Sequence, residues 1–156
     1  MTIDSVRCAE ERDLPRLGQL AGGLVRMHHE ADPKRFMLVD DVEQGYARWF
    51  SSELQRAEAI VLVADRGDEV VGYAYGRLEG RDWNMLLDRH GVVHDVYVDA
   101  KVRRCGAGRW LLHTLVEELE GRGAPRIVLS TMVANEAAQR LFRSCGFRAT
   151  MLEMTR

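Results

Sequence analysis

The apolar residues of this chain change their spacing near residue 59, and this change limits the folds that the chain can adopt. Before it, the leucines between residues 14 and 24 recur at steps of three and four, which is the pattern of an amphipathic helix. After it, residues 59–64 and 70–76 form runs rich in β-branched and aromatic residues, which favour strands. A turn around Gly67 joins the two runs into a predicted hairpin.

The same reasoning predicts ten elements along the chain. Helices are predicted at residues 14–25, 42–54, 111–119 and 136–144. Strands are predicted at residues 3–9, 59–64, 70–76, 91–98, 126–131 and 147–154. Because Pro33 disfavours a helical residue before it, we expect segment 27–33 to interrupt the first helical pattern.

This order of elements, β-α-α-β-β-β-α-β-α-β, is typical of one mixed, mostly antiparallel sheet with helices on both faces, which is an α/β fold. The length of 156 residues fits a single domain over residues 1–156. The pattern contains no internal repeat and no second domain.

Composition and charge exclude several classes of protein. With 22 basic and 24 acidic residues, the chain lacks the basic excess of a general nucleic-acid binder. Its apolar stretches are far shorter than the roughly 20 residues of a membrane-spanning helix, and its charged N-terminus predicts no secretory signal. The cysteines Cys8, Cys105 and Cys145 are too widely spaced for a disulfide framework or a zinc site. We therefore expect a cytoplasmic protein without a metal.

The most informative segment is residues 96–109, where a predicted strand passes through a short loop into a predicted helix. Gly106 and Gly108 have no side chain that would keep a ligand from the backbone, and the first N–H groups of a helix have no partner within it. The helix dipole adds partial positive charge at this point. The segment also contains the basic residues Lys101, Arg103, Arg104 and Arg109. These features indicate a site for phosphate or pyrophosphate, with a solvated helix start as the alternative.

Two common phosphate-binding motifs do not fit this loop. A P-loop ends in Gly-Lys-Ser/Thr, whereas Gly108 is followed by Arg109 and Trp110. A dinucleotide-binding fingerprint has a third Gly or Ala three residues after the second glycine, and Leu111 stands there.

The loop reads Arg103-Arg104-Cys105-Gly106-Ala107-Gly108, which follows the pattern Gln/Arg-x-x-Gly-x-Gly/Ala. Downstream, Asn135 is followed by Ala138, by Leu141-Phe142 and by Gly146-Phe147. Both patterns, in this order, resemble motifs of the GNAT superfamily of N-acetyltransferases. Two motifs are more specific than one, and the whole chain can be laid on the fold of that family.

The resemblance implies an N-acetyltransferase that moves an acetyl group from acetyl-CoA directly to a primary amine. The acceptor would be a small cationic amine or an amine of a protein or peptide. The strand backbone would hold the pantetheine arm, the loop N–H groups the pyrophosphate, and the last helix would lie along the cofactor. The residues implied to bind acetyl-CoA are Val96, Tyr97, Val98, Arg103, Arg104, Cys105, Gly106, Ala107, Gly108, Arg109, Asn135, Ala138, Arg140 and Phe142.

Such a reaction needs a base, because a primary amine with a pKa of about 10 is protonated at neutral pH. His94 and Asp95 are the catalytic candidates, since they lie on the strand beside the implied thioester. Strand alternation places them on opposite faces. A buried packing role for His94 and a structural role for Asp95 are the alternatives. An N–H group near Val96 or Val98 would stabilise the oxyanion.

The sequence departs from the family pattern at Phe142. Many members have a tyrosine there that protonates the departing CoA sulfur, and phenylalanine cannot donate a proton. Either the thiolate leaves unassisted, or Tyr97, Ser144 or Cys145 supplies the proton. A non-catalytic acyl-CoA sensor is the alternative from a different class of protein.

The acceptor side is expected to lie mostly in segments 27–41 and 80–90, because their polar and aromatic residues suit a cationic amine. A solvated surface is the alternative. The residues concerned are His28, His29, Glu30, Asp32, Asp82, Trp83 and Asp88. Family members are often dimers, and the apolar residues between Thr150 and Met154 are a candidate interface for a homodimer.

Overall fold

A computed structural model describes residues 2–156, and its central element is one five-stranded sheet with the strand order β1-β2-β3-β4-β5. The strands are β1 (Ser5–Cys8), β2 (Ala59–Arg66), β3 (Glu69–Glu79), β4 (His90–Val98) and β5 (Ile127–Leu129). Neighbouring strands are antiparallel, except that β5 pairs with β4 in parallel. The sheet is therefore mixed and mostly antiparallel, as predicted.

Four helices cover this sheet, and their packing confirms the α/β fold. They are α1 (Leu14–Ala31), α2 (Val42–Glu53), α3 (Ala107–Gly121) and α4 (Glu136–Ser144). Short 3-10 turns occupy Glu11–Asp13 and Ala100–Val102. Helices α1 and α2 pack on one face of the sheet, and α3 packs on the other together with Leu141 and Phe142 of α4.

Each face of the sheet contributes to a separate apolar core, because successive strand side chains point to opposite faces. In β2, Leu62 and Ala64 pack on the leucines of α3, and we call this cluster the α3-side core. Val61 and Val63 pack instead with Leu17 of α1 and Phe50 of α2, which form the α1/α2-side core. With both faces covered, the buried parts of β2 and β3 are continuous apolar runs rather than alternating ones.

Helix α3 begins at Ala107, earlier than the predicted residue 111, and two further predictions are wrong. Helix α1 continues through residues 27–31 and ends only before Asp32, because Pro33 restricts the residue directly before it and leaves the earlier residues free to remain helical. The predicted closing strand at 147–154 does not form. Most of that segment is exposed, and Glu153 forms an ion pair with Arg35 in the connection between α1 and α2.

Glycines allow α1 and α2 to approach closely. A Cβ atom built on Gly18 would overlap the backbone oxygen of Glu43 in α2. On Gly22, one turn later, a Cβ atom would lie 2.9 Å from the Oε1 atom of Glu43. Gly18 is therefore required for the contact between the helices, because the backbone of Glu43 cannot move away as its side chain can at Gly22.

We predict that Gly18→Ala lowers the free energy of unfolding by about 1–3 kcal/mol, because the overlap with backbone outweighs the better helix propensity of alanine. The matched control is Gly45→Ala in α2, where the new Cβ atom meets no atom within 4 Å. That variant should gain about 0.5–1 kcal/mol. Urea unfolding measures both values, and effects of the same sign would contradict the packing argument.

Candidate active site

The central feature of the site is the edge of β4 that lies beyond its contact with β5. The two strands pair only at Gly91, Val92 and Val93, with residues 127–129 opposite. Beyond Val93, β4 continues to Val98 while it pairs with β3 on its other side alone. This half of β4 therefore has one open edge in the described part of the chain.

The hydrogen bonds of the sheet decide which backbone groups reach the open edge. The N–H group of Asp99 donates to the oxygen of Val71 at 2.8 Å, so Asp99 faces the β3 side. In an antiparallel ladder every second residue does the same, which directs the backbone of Tyr97 toward β3. The N–H and C=O groups of Val96 and Val98 point the opposite way. Of the three strand residues expected to bind the pantetheine arm, these two present backbone groups to the edge.

A β-bulge changes the orientation of the two catalytic candidates. Asp95 pairs with Tyr75, but the next pair is Val93 with Gly76, so His94 has no partner in β3. The extra residue offsets the alternation by one position. Val93 and Val96 both contribute to the α3-side core, whereas His94 stacks on Tyr75 of the α1/α2-side core. The prediction that His94 and Asp95 lie on opposite faces is therefore wrong.

The imidazole of His94 is free to act on a ligand. Its ring nitrogens form no hydrogen bond or ion pair with any of residues 2–156, whereas the other four histidines each have a polar partner. His94 is an exposed residue, yet the protein around its ring displaces enough water to lower the pKa of His94 below its ordinary value. The side chain is therefore neutral, and able to accept a proton, at neutral pH.

Asp95 is a carboxylate without a basic partner. Its Oδ2 atom accepts a hydrogen bond of 2.9 Å from the hydroxyl of Tyr73, and it forms no salt bridge with an arginine or lysine of the described chain. Burial raises the pKa of Asp95 above its ordinary value, although the Tyr73 hydroxyl and His28 oppose this shift. When it is ionised, this half-buried carboxylate attracts a cation.

The loop between β4 and α3 presents a concentration of free backbone donors. Arg104 and Gly106 adopt left-handed conformations, with φ of 65° and 83°. Within residues 2–156, the N–H groups of Arg104 and of residues 106–109 donate no hydrogen bond. Asp99 holds the start of the loop because its Oδ1 atom accepts the N–H group of Lys101 at 3.0 Å. The N-terminus of α3 therefore offers clustered donors to an anion.

The side chains of the loop residues point in several directions. The guanidinium of Arg103 turns back to β4, where it donates to the oxygen of Val98 at 3.2 Å and lies over the ring of Tyr97. Arg109 donates to the Oγ atom of Ser144 in α4 at 2.9 Å. Arg104 is exposed, whereas Cys105 and Ala107 pack in the α3-side core.

Helix α4 lies beside the loop. Gly108 stands between β4 and α4, since a Cβ atom built there would lie 3.8 Å from Val98 and 3.5 Å from Leu141. Asn135 caps α4, because its Oδ1 atom accepts the N–H group of Ala138 at 3.1 Å. Phe142 is half-buried against Phe147. Arg140 is exposed and lies 3.8 Å from Glu136.

Residues 24–147 match a family model described as the acetyltransferase (GNAT) family. The chain belongs to the GNAT family. It is an acetyl-CoA-dependent N-acetyltransferase, and acetyl-CoA is its cosubstrate. Two features of the site fit acetyl-CoA: the open edge of β4 and the free N–H groups at the start of α3.

Similar proteins include an L-methionine sulfoximine/L-methionine sulfone acetyltransferase of Pseudomonas aeruginosa, which is 29% identical over 92% of this chain and 79% of its own length. Among solved structures, a mutant of the BH1408 protein from Bacillus halodurans has a TM-score of 0.84 at 19% identity, covering 98% of each chain. An aminoglycoside N-acetyltransferase in complex with CoA has a TM-score of 0.75 at 14% identity, covering 100% of this chain and 95% of its own.

On the side where this GNAT protein was expected to bind its acceptor, the loop carboxylates have partners within their own loops. Asp32 accepts the N–H groups of residues 34 and 35. Asp82 accepts those of residues 84 and 85, and Asp88 forms an ion pair with Arg81. These three acids therefore hold the turns of their own loops. His28 and His29 bind backbone oxygens, Trp83 is 75% exposed, and Glu30 is exposed.

Three residues that contact the catalytic candidates directly or through one neighbour were not predicted: Tyr73 and Tyr75 of the α1/α2-side core, and the buried acid Glu53. Tyr73 donates to Asp95, Tyr75 stacks on His94, and the Tyr75 hydroxyl donates to the buried carboxylate of Glu53. One signal was available for Glu53. It follows Trp49 and Phe50 on the apolar stripe of α2, where an acid is unexpected.

No group of three or more His, Cys, Asp or Glu residues within 2–156 is arranged to hold a metal ion. In the same range, no helix combines the length and the apolar character needed to cross a membrane.

We predict that Gly108→Val weakens acetyl-CoA binding by about tenfold or more, a loss of about 1.4 kcal/mol per factor of ten. The new side chain would enter the space between β4 and α4, while its Cβ atom makes only ordinary contacts with the protein. Calorimetric titration measures the affinity, and Gly121→Ala is the control because its Cβ atom meets nothing within 4 Å. Unchanged affinity for Gly108→Val would refute this binding site.

Proposed function

We propose that this protein transfers the acetyl group from acetyl-CoA directly to a primary amine, with the thioester at the open edge of β4 beside His94. The proposal rests on one observation: the open edge of β4 and a group of unpaired N–H donors lie next to each other. The edge of β4 that β5 leaves open after Val93 leads directly to the unpaired N–H groups at residues 106–109. Acetyl-CoA has an extended pantetheine arm that ends in a diphosphate. The arm would lie along the open edge, and the diphosphate would reach the N–H donors.

The chain's backbone would hold the cosubstrate. The outward groups of Val96 and the N–H group of Val98 would pair with the pantetheine arm, whereas the C=O group of Val98 already accepts a hydrogen bond from Arg103. Tyr97 lies between the two valines. The loop N–H groups would bind the pyrophosphate, and the exposed guanidinium of Arg104 adds a positive charge nearby. Asn135, Ala138, Arg140 and Phe142 would line the α4 side of the cleft.

We assign different roles to the two catalytic candidates. The neutral imidazole of His94 accepts the proton that the amine must lose before it attacks the carbonyl carbon of the thioester. Asp95, which has no basic partner, attracts the protonated amine to the bulge. As the C–N bond forms and the C–S bond breaks, the N–H group of Val96 stabilises the negative charge that develops on the carbonyl oxygen.

The thiolate leaves without a side-chain acid in this proposal. Phe142 carries no proton donor, and the three alternatives are engaged elsewhere. Ser144 donates to the oxygen of Leu141 and accepts from Arg109, while Cys145 packs in the α3-side core. The hydroxyl of Tyr97 lies against Gly23 of α1. A thiol with a pKa of about 8.5 is an adequate leaving group at neutral pH.

The reaction can be tested by incubation with acetyl-CoA and a panel of amines while free thiol is measured. The panel should contain a polyamine, an aminoglycoside, a free amino acid and a peptide with a free N-terminus. We expect thiol release above the acceptor-free background with at least one of them, matched by an acetylated amine in the mass spectrum. Tight CoA binding without thiol release for any amine would favour a sensor and contradict the proposal.

The role of His94 predicts a pH-dependent defect. His94→Ala should lower the rate by about 10²- to 10⁴-fold at pH 7 and by less near pH 10, where the amine is already neutral. In the unmodified protein the rate should fall only as the pH drops through the lowered pKa of His94, which lies below the ordinary value of about 6.5. His113→Ala, at an exposed position of α3, is the control. Equal loss at every pH would contradict a base.

We also propose a cytoplasmic homodimer. The support for the dimer is the exposed apolar surface of Met151, Leu152 and Met154, and the support for the compartment is the presence of three free cysteines. Sedimentation equilibrium should give twice the chain mass of 17.7 kDa, and Leu152→Asp should shift the protein toward that single-chain mass. A monomer at all concentrations would exclude the dimer.

A further inference from the structure

The ring of Tyr75 supplies the one ring–ring contact that His94 makes within residues 2–156. The centroids of the two rings are 5.3 Å apart, and their planes differ by 19°, so the rings are stacked. The imidazole has no hydrogen bond there that fixes its rotation. The backbone of His94 is also less constrained than that of its neighbours, because the bulge leaves it without a partner in β3.

Tyr75 is itself rigidly held. Its side chain is 2% exposed, and its hydroxyl donates to the carboxylate of Glu53 at the end of α2. That carboxylate is buried and lies 3.1 Å from Arg56 and 3.4 Å from Arg77, which balance its charge. The edge of Trp49, with its centroid 5.0 Å away, packs against the Tyr75 ring. The imidazole therefore rests on a fixed aromatic surface.

We propose that Tyr75 is a positioning residue for acetyl transfer, whose ring holds the imidazole of His94 in the orientation needed to accept the proton of the amine. This proposal rests on the proposed role of His94 as base. Tyr75 does not touch the reacting atoms, and it acts through His94 alone. The pair of Glu53 and Tyr75 thus connects the end of α2 to the bulge in β4.

The pKa of His94 reports whether Tyr75 holds the ring, because it depends on the groups that surround the imidazole. The charged groups that act on the imidazole are Glu53 from α2 and Glu79 and Arg77 from β3, and their effects oppose one another. Loss of water around the ring is the largest cause of the lowered pKa. Because the Tyr75 ring covers one face of the imidazole, its removal should admit water and raise the pKa of His94 toward about 6.5.

The test compares three variants of the full chain by NMR titration of His94 and by steady-state kinetics. Tyr75→Leu should raise the pKa of His94 and lower kcat by about 10- to 100-fold, since misplacement of a catalytic group by about 1 Å costs on the order of 100-fold. Its KM for acetyl-CoA should stay unchanged. Tyr75→Phe keeps the ring and should restore both the pKa and most of kcat.

Phe50→Leu is the matched control, because Phe50 is a buried ring that packs on Tyr75 at 5.7 Å without a ring contact to His94 in the described chain. It should reduce stability about as much as Tyr75→Leu and leave the titration of His94 unchanged. An equal shift in both leucine variants, or none in Tyr75→Leu, would overturn the proposal.

A double variant separates this proposal from the assignment of the base. If Tyr75 acts through His94, then Tyr75→Leu causes no further loss of kcat in the His94→Ala background. A further loss as large as in the parent protein would overturn the positioning role. If His94→Ala alone retains full activity, the base assignment fails, and the NMR titration still decides whether Tyr75 holds the ring.

Discussion

The site depends on the point at which β4 and β5 stop pairing. Strand β5 has only three residues, and its partnership with β4 ends at Val93. Beyond that point the outward groups of Val96 and the N–H group of Val98 have no partner in the sheet, while the C=O group of Val98 accepts a hydrogen bond from Arg103. The loop that follows β4 and the first turn of α3 add five N–H groups, those of Arg104 and residues 106–109, that have no acceptor within residues 2–156. Unsatisfied backbone groups thus form one continuous surface from the middle of β4 to the start of α3.

The bulge at His94 decides which ionisable side chains of β4 lie together. By adding one residue to the strand, it brings His94 and Asp95 to the same side of the sheet, between the open edge and the aromatic residues of the α1/α2-side core. The two side chains then differ through their contacts. Asp95 is held by Tyr73, whereas the nitrogens of His94 remain free. One register shift therefore places a fixed negative charge beside a free proton acceptor.

Much of this architecture could be predicted from local patterns. Apolar spacing located all four helices and five of the six predicted strands, and the two motifs located the loop and the cap at Asn135. The bulge could not be predicted, because it arises from the pairing of β4 with β3. It produces no regular spacing of apolar residues around His94. The closing strand was predicted from the same local patterns as the other strands, but β5 has no further partner strand in the described chain. The roles of the loop acids depend on side-chain contacts within turns, which spacing does not reveal.

The separation of the two cores has a consequence for how this fold can diversify. Val96 and Val98 pack toward α3, while the residues that surround His94 and Asp95 belong to α1, α2 and β3. Backbone groups alone are shared between the two sides. New acceptor preferences can therefore arise by replacing side chains beneath α1 and α2, without altering how the acyl donor is held. A single scaffold of this type can supply many different acceptor preferences while its donor chemistry stays constant.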